Sequence, residues 1–296
     1  MSHRIPRTLL AALAVALLVA ACGGGGTKSS TAASSGKPLA ALPTIAPPTG
    51  PVSLDATVQV KPRGSSSAGG GLLASPITLH EKGVVVASSG AADVTLQVQL
   101  GAASIDAGVR SDGTNQWLQL GGQWYELGGQ STGGSLGSAL QPSTLQGALS
   151  GLGAYTTNVR DFGTETVDGE PARHVTADLD PAKLRTRLGS VAGSLGSSGT
   201  AGLFPAQAIV NGLSEGHVEL WIATADSTLR RARISLTSDT SKATDAQGLQ
   251  GLDLEVDATS KPTSASTITA PAGAHPASDL QTALLTNLAP LLGGSG

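Results

Sequence analysis

The sequence predicts an α+β fold in which helices cover one face of an antiparallel β-sheet, as a sandwich or a half-barrel. Beyond about residue 52, apolar and polar residues alternate with a period of two in many short segments, which is typical of strands with one buried face. Short turns join these segments, which favours hairpins. Other segments have apolar residues at helical spacing, and such helices can cover the apolar face of the sheet.

The alternation predicts strands between residues 94 and 127 and between residues 174 and 257. Turns are predicted at Asp112–Asn115 and at Gly121–Gly122, where residues suited to tight turns separate two alternating segments. The apolar positions of the predicted strands are Val94, Leu96, Val98, Leu100, Ile105, Val109, Leu118, Val175, Val218, Leu220, Ile222, Ile234, Leu252 and Leu254. We expect these side chains to share one face of the sheet.

Three helices are predicted as the cover of that face. The pair Asp180–Pro181 combines a favourable N-cap with a proline at the first helical position, and Leu184 and Leu188 then recur on one side of the helix. Leucines at similar spacing predict a second helix over residues 142–152 and a third over residues 278–290.

The amino terminus has the pattern of a bacterial lipoprotein signal. Arg4 and Arg7 precede an apolar run of about a dozen residues, whereas a helix that spans a bilayer needs roughly 20. The lipobox Val19–Cys22 then contains the only cysteine of the chain. We expect residues 1–21 to be a signal peptide and Cys22 to carry a diacylglycerol membrane anchor, with palmitate among its acyl chains. The alternative is an ordinary secretory signal beside an unpaired cysteine.

The segment over residues 22–51 is predicted to be a flexible tether, because it consists mainly of Gly, Ser, Thr, Ala and Pro with almost no periodicity. A single domain is expected over residues 52–292. The anchor and tether together predict a monomeric protein held at the outer face of the cytoplasmic membrane, in the cell envelope.

Composition excludes several classes of ligand. Removing residues 1–21 removes two of the 18 basic side chains and none of the 21 acidic ones, which leaves a net charge of −5. Nucleic acid is therefore not an expected partner, since its binding requires clustered Lys and Arg. The seven Phe, Trp and Tyr residues provide little surface for stacking against sugars or nucleotides. An apolar core has to stabilise the domain, because one cysteine forms no disulfide within the chain.

The sequence does not predict an enzyme. Gly133–Gly137 matches the G-x-S-x-G pattern of hydrolases, but it lies in a Gly/Ser-rich run and not between a strand and a helix. The histidines of the mature chain, His80, His174, His217 and His275, are far apart and lack the spacing of metal ligands. No metal or cofactor is expected, and His174 and His217 are expected on the polar faces of their strands.

A basic cluster, Arg230, Arg231 and Arg233, allows two interpretations. These arginines can attract anionic lipid headgroups. They can also lie on the solvent side of a strand and pair across the sheet with Glu219 or with the carboxylates of residues 253–257. The second interpretation is favoured because ordinary cross-strand pairing is the commoner role.

Five short segments of the chain follow one another in an order that is typical of a known protein family. They are the lipobox at Cys22, Gly122–Leu127 in a strand-turn-strand unit, Gly163–Glu170, His174–Ala177 before Asp180–Pro181, and Val218–Ile222 before Leu229–Arg231. In this order the segments resemble the LppX/LprG-type bacterial lipoproteins, with their LolA-like fold, over residues 53–290. The resemblance implies a strongly bent antiparallel sheet, a half-barrel, whose concave face is covered by helices and holds a cavity for the acyl chains of lipids or lipoglycans.

Two functional hypotheses remain open. In the first, the protein binds and transports a lipid or other amphiphile in an apolar cavity, lined by the fourteen strand residues named above together with Leu184 and Leu188. In the second, it is a non-enzymatic envelope lipoprotein with a filled core that acts as an adaptor or interaction module. A continuous apolar cavity between sheet and helices, of the size usual for ligand sites, favours the first hypothesis.

Overall fold

The computed structural model describes residues 36–64, 75–101, 103–129, 152–195, 206–243, 248–264, 267–280 and 282–283. Within them the chain forms one large open antiparallel sheet of 12 strands. The strands are β1 Lys37–Pro38, β2 Pro51–Arg63, β3 Ile77–Val86, β4 Ala91–Leu100, β5 Ala103–Asp112, β6 Asn115–Leu120, β7 Gln123–Gly129, β8 Thr156–Val167, β9 Glu170–Leu179, β10 Leu213–Ala223, β11 Leu229–Asp239 and β12 Gly251–Pro262. Helix α1 is Pro181–Leu195, helix α2 is Ala206–Asn211, and 3₁₀ turns lie at Leu152–Tyr155 and Ala277–Asp279.

The strand order is β1-β8-β9-β10-β11-β12-β2-β3-β4-β5-β6-β7. Strands β2 to β7 follow one another as a meander, β8 to β12 form a second one, and the pairing of β12 with β2 joins the two. The strands predicted from alternation are confirmed as β4 to β7 and β9 to β12. The antiparallel sheet of the predicted fold class is therefore confirmed.

The two predicted turns are also confirmed. Oδ1 of Asp112 accepts hydrogen bonds from the backbone N–H groups of Thr114 and Asn115, each at 2.8 Å. Gly121 and Gly122 have φ values of +57° and +80°, which side-chain-bearing residues rarely adopt. These local signals position β5 to β7 as consecutive hairpins.

Helix α1 begins where the sequence predicts. Oδ1 of Asp180 accepts hydrogen bonds from the N–H groups of Ala182 and Lys183, at 2.9 and 3.2 Å, which is the expected N-cap geometry. Helix α1 contacts β10 and α2, and α2 contacts β11. The described helices thus lie beside β10 and β11, and helical cover of the whole apolar face stays a prediction.

The other two predicted helices fall mostly outside the described residues. Residues 142–151 are among those not described, and Leu152 begins a 3₁₀ turn. Leu280 is helical and buried directly after the 3₁₀ turn Ala277–Asp279, but residues 284–290 are not described. The GxSxG match at Gly133–Gly137 also lies outside the described residues.

Residues 36–50, which the sequence assigns to the flexible tether, contain a segment that pairs with and packs against the sheet. Strand β1 pairs with β8, and the N–H group of Ala46 donates to the carbonyl of Ser227 at 2.9 Å. Between these points Leu39, Leu42 and Ile45 pack against the hydrophobic core. Three apolar residues at intervals of three are enough to bind this segment to the sheet, although its overall composition is that of a linker.

The edge of the sheet at β7 is covered by a segment from near the end of the chain. The backbone of His275 accepts from Glu126 and donates to Trp124, both at 2.8 Å, and its ring stacks on Tyr125 with centroids 5.4 Å apart. Covering an edge in this way hides backbone groups that would otherwise pair with another chain.

Gly83, in the middle of β3, allows the next strand to approach closely. A Cβ atom at this position would lie 2.2 Å from the carbonyl oxygen of Asp93 and 2.6 Å from Cα of Val94. We expect Gly83→Ala to lower the free energy of unfolding by about 2 to 3 kcal/mol. At Gly50 an added Cβ meets nothing within 4 Å, so Gly50→Ala is the matched control. Urea denaturation measures both variants, and equal effects would contradict the close approach.

Candidate functional site

The strand register brings the predicted apolar residues together on one face of the sheet. For example, Leu96 pairs with Ala107 on β5, and Leu220 pairs with both Val175 on β9 and Ala232 on β11. Following these pairs from strand to strand places all fourteen strand residues named above on the same side. We call this side the apolar face.

The two predicted apolar residues of helix α1 lie beside this face and not within the sheet. Leu184 packs against the hydrophobic core, and Leu188 is partly buried. The guanidinium group of Arg185 donates to the carbonyl of Leu213 at 2.8 Å, which fixes the helix at the start of β10. The two helical leucines therefore lie near one margin of the apolar face.

The two ends of the apolar face differ in exposure. At the end where β2 begins, Val52, Leu54 and Val85 are each 8% exposed. Ala46 and Thr228 form a bridge at this same end, so the segment before β2 contributes to its burial. Towards the opposite end several apolar side chains are only partly buried, although Leu79 and Leu252 are 3% and 7% exposed; the partly buried ones are Val60, Ile77, Val98, Leu100, Ile105, Leu236 and Leu254. We call this second group the open end.

An acidic residue, Glu81, lies in the middle of the apolar face. It pairs with Ala56 on β2 and Leu96 on β4, and the residue is 5% exposed. Its Oε2 atom is buried without a hydrogen-bond partner. Burial raises the pKa of Glu81 from 4.5 to about 8 because the charged form is poorly solvated there.

Sequence reasoning missed Glu81. It lies within the polar run His80–Lys82, which hides its alternation with Ile77, Leu79 and Val85. The available signal was that period of two, which places Glu81 on the same side as the apolar residues of β3.

Two cavities are described, and neither is lined by the predicted apolar residues. A cavity of about 540 Å³ lies near the start of α1 and is lined mainly by polar residues, including Asp178, Asp180 and His217. A second, of about 450 Å³, lies between residues 38–41 and the 153–160 region. None of the open-end residues lines either of these cavities.

The basic cluster is divided between the two sides of the sheet. Arg231 and Arg233 both contact Oδ2 of Asp257, at 2.8 and 3.2 Å, so the predicted cross-strand pairing is confirmed for them. For Arg230 the solvent-side prediction is wrong. Its side chain is only 7% exposed and contacts Glu170 at 2.7 Å and Asp226 at 3.1 Å. The alternation of β11 turns Arg230 away from Arg231 and Arg233, and it is neutralised by Glu170 at the start of β9 and Asp226 in the turn before β11.

The polar face carries a small aromatic cluster around His174. The ring centroids of His174 and Trp221 lie 4.4 Å apart, and Glu165 bonds to both rings, at 2.9 Å each. Burial alone would lower the pKa of His174, but the carboxylates of Glu219 and Glu165 raise it above its usual value. His217 contacts Asp178 at 3.2 Å. Both histidines thus lie on the polar faces of their strands, as predicted. Each pairs with carboxylates of neighbouring strands.

Within the described part of the chain, no helix combines the length and the apolar character needed to cross a membrane. The same residues contain no group of three or more His, Cys, Asp or Glu side chains arranged to hold a metal ion.

Comparison with known proteins gives structural neighbours only. No protein-family model and no curated protein matches the chain. The lipoprotein LppX of Mycobacterium tuberculosis is 18% identical, with 72% of this chain and 89% of that chain covered and a TM-score of 0.35. LprF from Mycobacterium bovis is 14% identical, with 75% and 91% covered and a TM-score of 0.36.

A further neighbour is a domain from Vibrio parahaemolyticus described as an outer membrane lipoprotein-sorting protein, 9% identical, with 73% and 85% covered and a TM-score of 0.23. The neighbours thus include lipoproteins of the kind that the sequence resembles. At these TM-scores the structures superpose only in part.

Proposed function

We propose that this protein is a membrane-anchored lipoprotein that binds a lipid or other amphiphile on its apolar face and carries it within the cell envelope. The observation that carries this proposal is the open end, where seven apolar side chains lie on six neighbouring strands, β11, β12 and β2 to β5, and stay partly exposed. A contiguous exposed apolar patch of this kind is typical of an interaction site. An acyl chain laid across it would remove that surface from water.

The proposed anchor keeps this face close to a source of lipid. Thirteen residues separate Cys22 from Gly36, where the described chain begins, so the sheet lies at most roughly 50 Å from the lipidated residue. That distance is comparable with the thickness of a bilayer with its headgroups. The domain is therefore expected to reach the membrane surface without leaving its anchor.

The adaptor hypothesis is kept as the second candidate, because one observation favours it. The buried part of the apolar face forms a continuous hydrophobic core, and none of the predicted apolar residues lines either described cavity. If the open end binds a protein and not a lipid, the same patch serves as the interface.

A lipid-binding measurement distinguishes the two candidates. Protein purified from its own host is extracted and its lipids are identified by mass spectrometry, and binding of a fluorescent long-chain alkyl probe is titrated. We expect a co-purifying lipid and micromolar binding of the probe. Val98→Asn at the open end should weaken probe binding by about tenfold, whereas Gln99→Asn on the polar face should not. Absence of both lipid and probe binding would favour the adaptor.

A further inference from the structure

The environment of Glu81 is apolar on every described side. The residues beside it on the same face are Ala56, Leu96, Leu79, Gly83, Leu54, Val58, Val94 and Val98. Neither an ion pair nor a hydrogen bond of the Glu81 side chain occurs among the described residues, and its Oε2 atom is sequestered from solvent. Within the protein as described, Oε2 of this carboxyl group is buried and has no hydrogen-bond partner.

Such a group is costly, and its presence calls for an explanation. A buried polar atom without a partner destabilises the folded state by the hydrogen bond that it gave up to water. A hydrophobic side chain in the same place would avoid that cost and continue the alternation of β3. A ligand that brings its own polar atom to the apolar face would supply the missing bond.

The protonation of Glu81 defines the chemistry of that atom. With its pKa raised to about 8 by burial, the carboxyl group is mostly protonated at neutral pH. It then offers one O–H donor and one carbonyl acceptor. A neutral ester carbonyl or hydroxyl matches these groups without bringing a charge into an apolar site, whereas a carboxylate or phosphate would add an unpaired charge.

We propose that Glu81 is the polar contact for the ligand, donating a hydrogen bond to a neutral oxygen, an ester carbonyl or hydroxyl, of an acyl lipid whose hydrocarbon chain lies along the apolar face. This inference rests on the proposed function and narrows it to neutral acyl lipids. The hydrocarbon chain lies against the open end, and Glu81 sets the position of the lipid's oxygen along the strands. Because Glu81 is 5% exposed and lines neither described cavity, the lipid has to displace the packing over this residue to reach it.

The test uses two probes with the same fluorophore and the same chain length, one a plain alkyl chain and the other with an ester group at mid-chain. We expect the wild-type protein to bind the ester probe about tenfold more tightly, the effect of one buried hydrogen bond. Glu81→Leu should abolish that preference without weakening binding of the alkyl probe. Glu81→Gln keeps a donor and should keep most of the preference.

Glu255→Gln is the matched control, because Glu255 lies on the polar face and pairs with Lys61 at 2.8 Å. It should leave both affinities unchanged. If the wild-type protein binds the two probes equally, or if Glu81→Leu retains the preference, the role of Glu81 is overturned while lipid binding stands. If neither probe binds, the proposed function fails as well.

Discussion

Replacing Glu81 with leucine is expected to stabilise the protein, and to do so more strongly as the pH rises. The carboxyl group ionises near pH 4.5 in the unfolded chain but near pH 8 in the folded one. Between these values Glu81 binds more protons in the folded state than in the unfolded state, so its contribution to the stability falls as the pH rises through this range. That contribution is most favourable below pH 4.5, where Glu81 is protonated in both states.

The size of the effect follows from the same shift. Compared with a side chain that does not titrate, Glu81 lowers the free energy of unfolding by roughly 1 kcal/mol at pH 5, roughly 3 kcal/mol at pH 7 and roughly 5 kcal/mol at pH 9. Glu81→Leu should therefore gain about these amounts in free energy of unfolding, measured by urea denaturation at the three pH values. Glu81→Gln should show the same pH trend relative to wild type, since its amide does not titrate.

The control for this series is again Glu255→Gln. Its carboxylate is 55% exposed and its partner Lys61 is 46% exposed, and such surface pairs contribute about 0 to 1 kcal/mol. Its stability should follow that of the wild-type protein across the pH range. Parallel curves for wild type and Glu81→Leu would contradict a buried, unpaired carboxyl at this position.

Replacing Cys22 with serine is expected to abolish lipidation. Serine has no thiol to form the thioether to diacylglycerol, and a signal processed at the lipobox requires that thiol. Metabolic labelling with a palmitate analogue should label the wild-type protein and leave Cys22→Ser unlabelled. Intact-mass measurement should show the corresponding loss of the acylated mass.

A neighbouring substitution, Thr27→Ser, controls for changes near the lipobox and should be labelled like the wild-type protein. An unlabelled wild-type protein recovered in the soluble fraction would contradict the anchor and leave an ordinary secretory signal. Labelled Cys22→Ser would place the acyl chain on another residue. The first result would remove the membrane anchor from the proposed function, and the second would move the anchor away from Cys22.

Much of the fold was predictable because its signals are local. Alternation in β4 to β7 and β9 to β12, the Asp112 turn and the Asp180 cap each depend on a few consecutive residues, and each is confirmed. Strand β8 was missed because Thr156–Val167 is polar on both sides and its pairing with β9 contains two register shifts. Strand β3 was missed because Glu81 and Gly83 interrupt its apolar positions.

The sequence by itself determined the antiparallel sheet, the common face of the fourteen apolar strand residues and the pattern that predicts the anchor at Cys22. These depend on periodicity and short motifs, which need no knowledge of distant neighbours. Only the tertiary structure decided that Leu39 to Ile45 pack on the core, that Arg230 turns to acidic partners, and that Glu81 is buried without one. Burial and pairing depend on which strands and segments become neighbours, and those contacts join residues far apart in the chain.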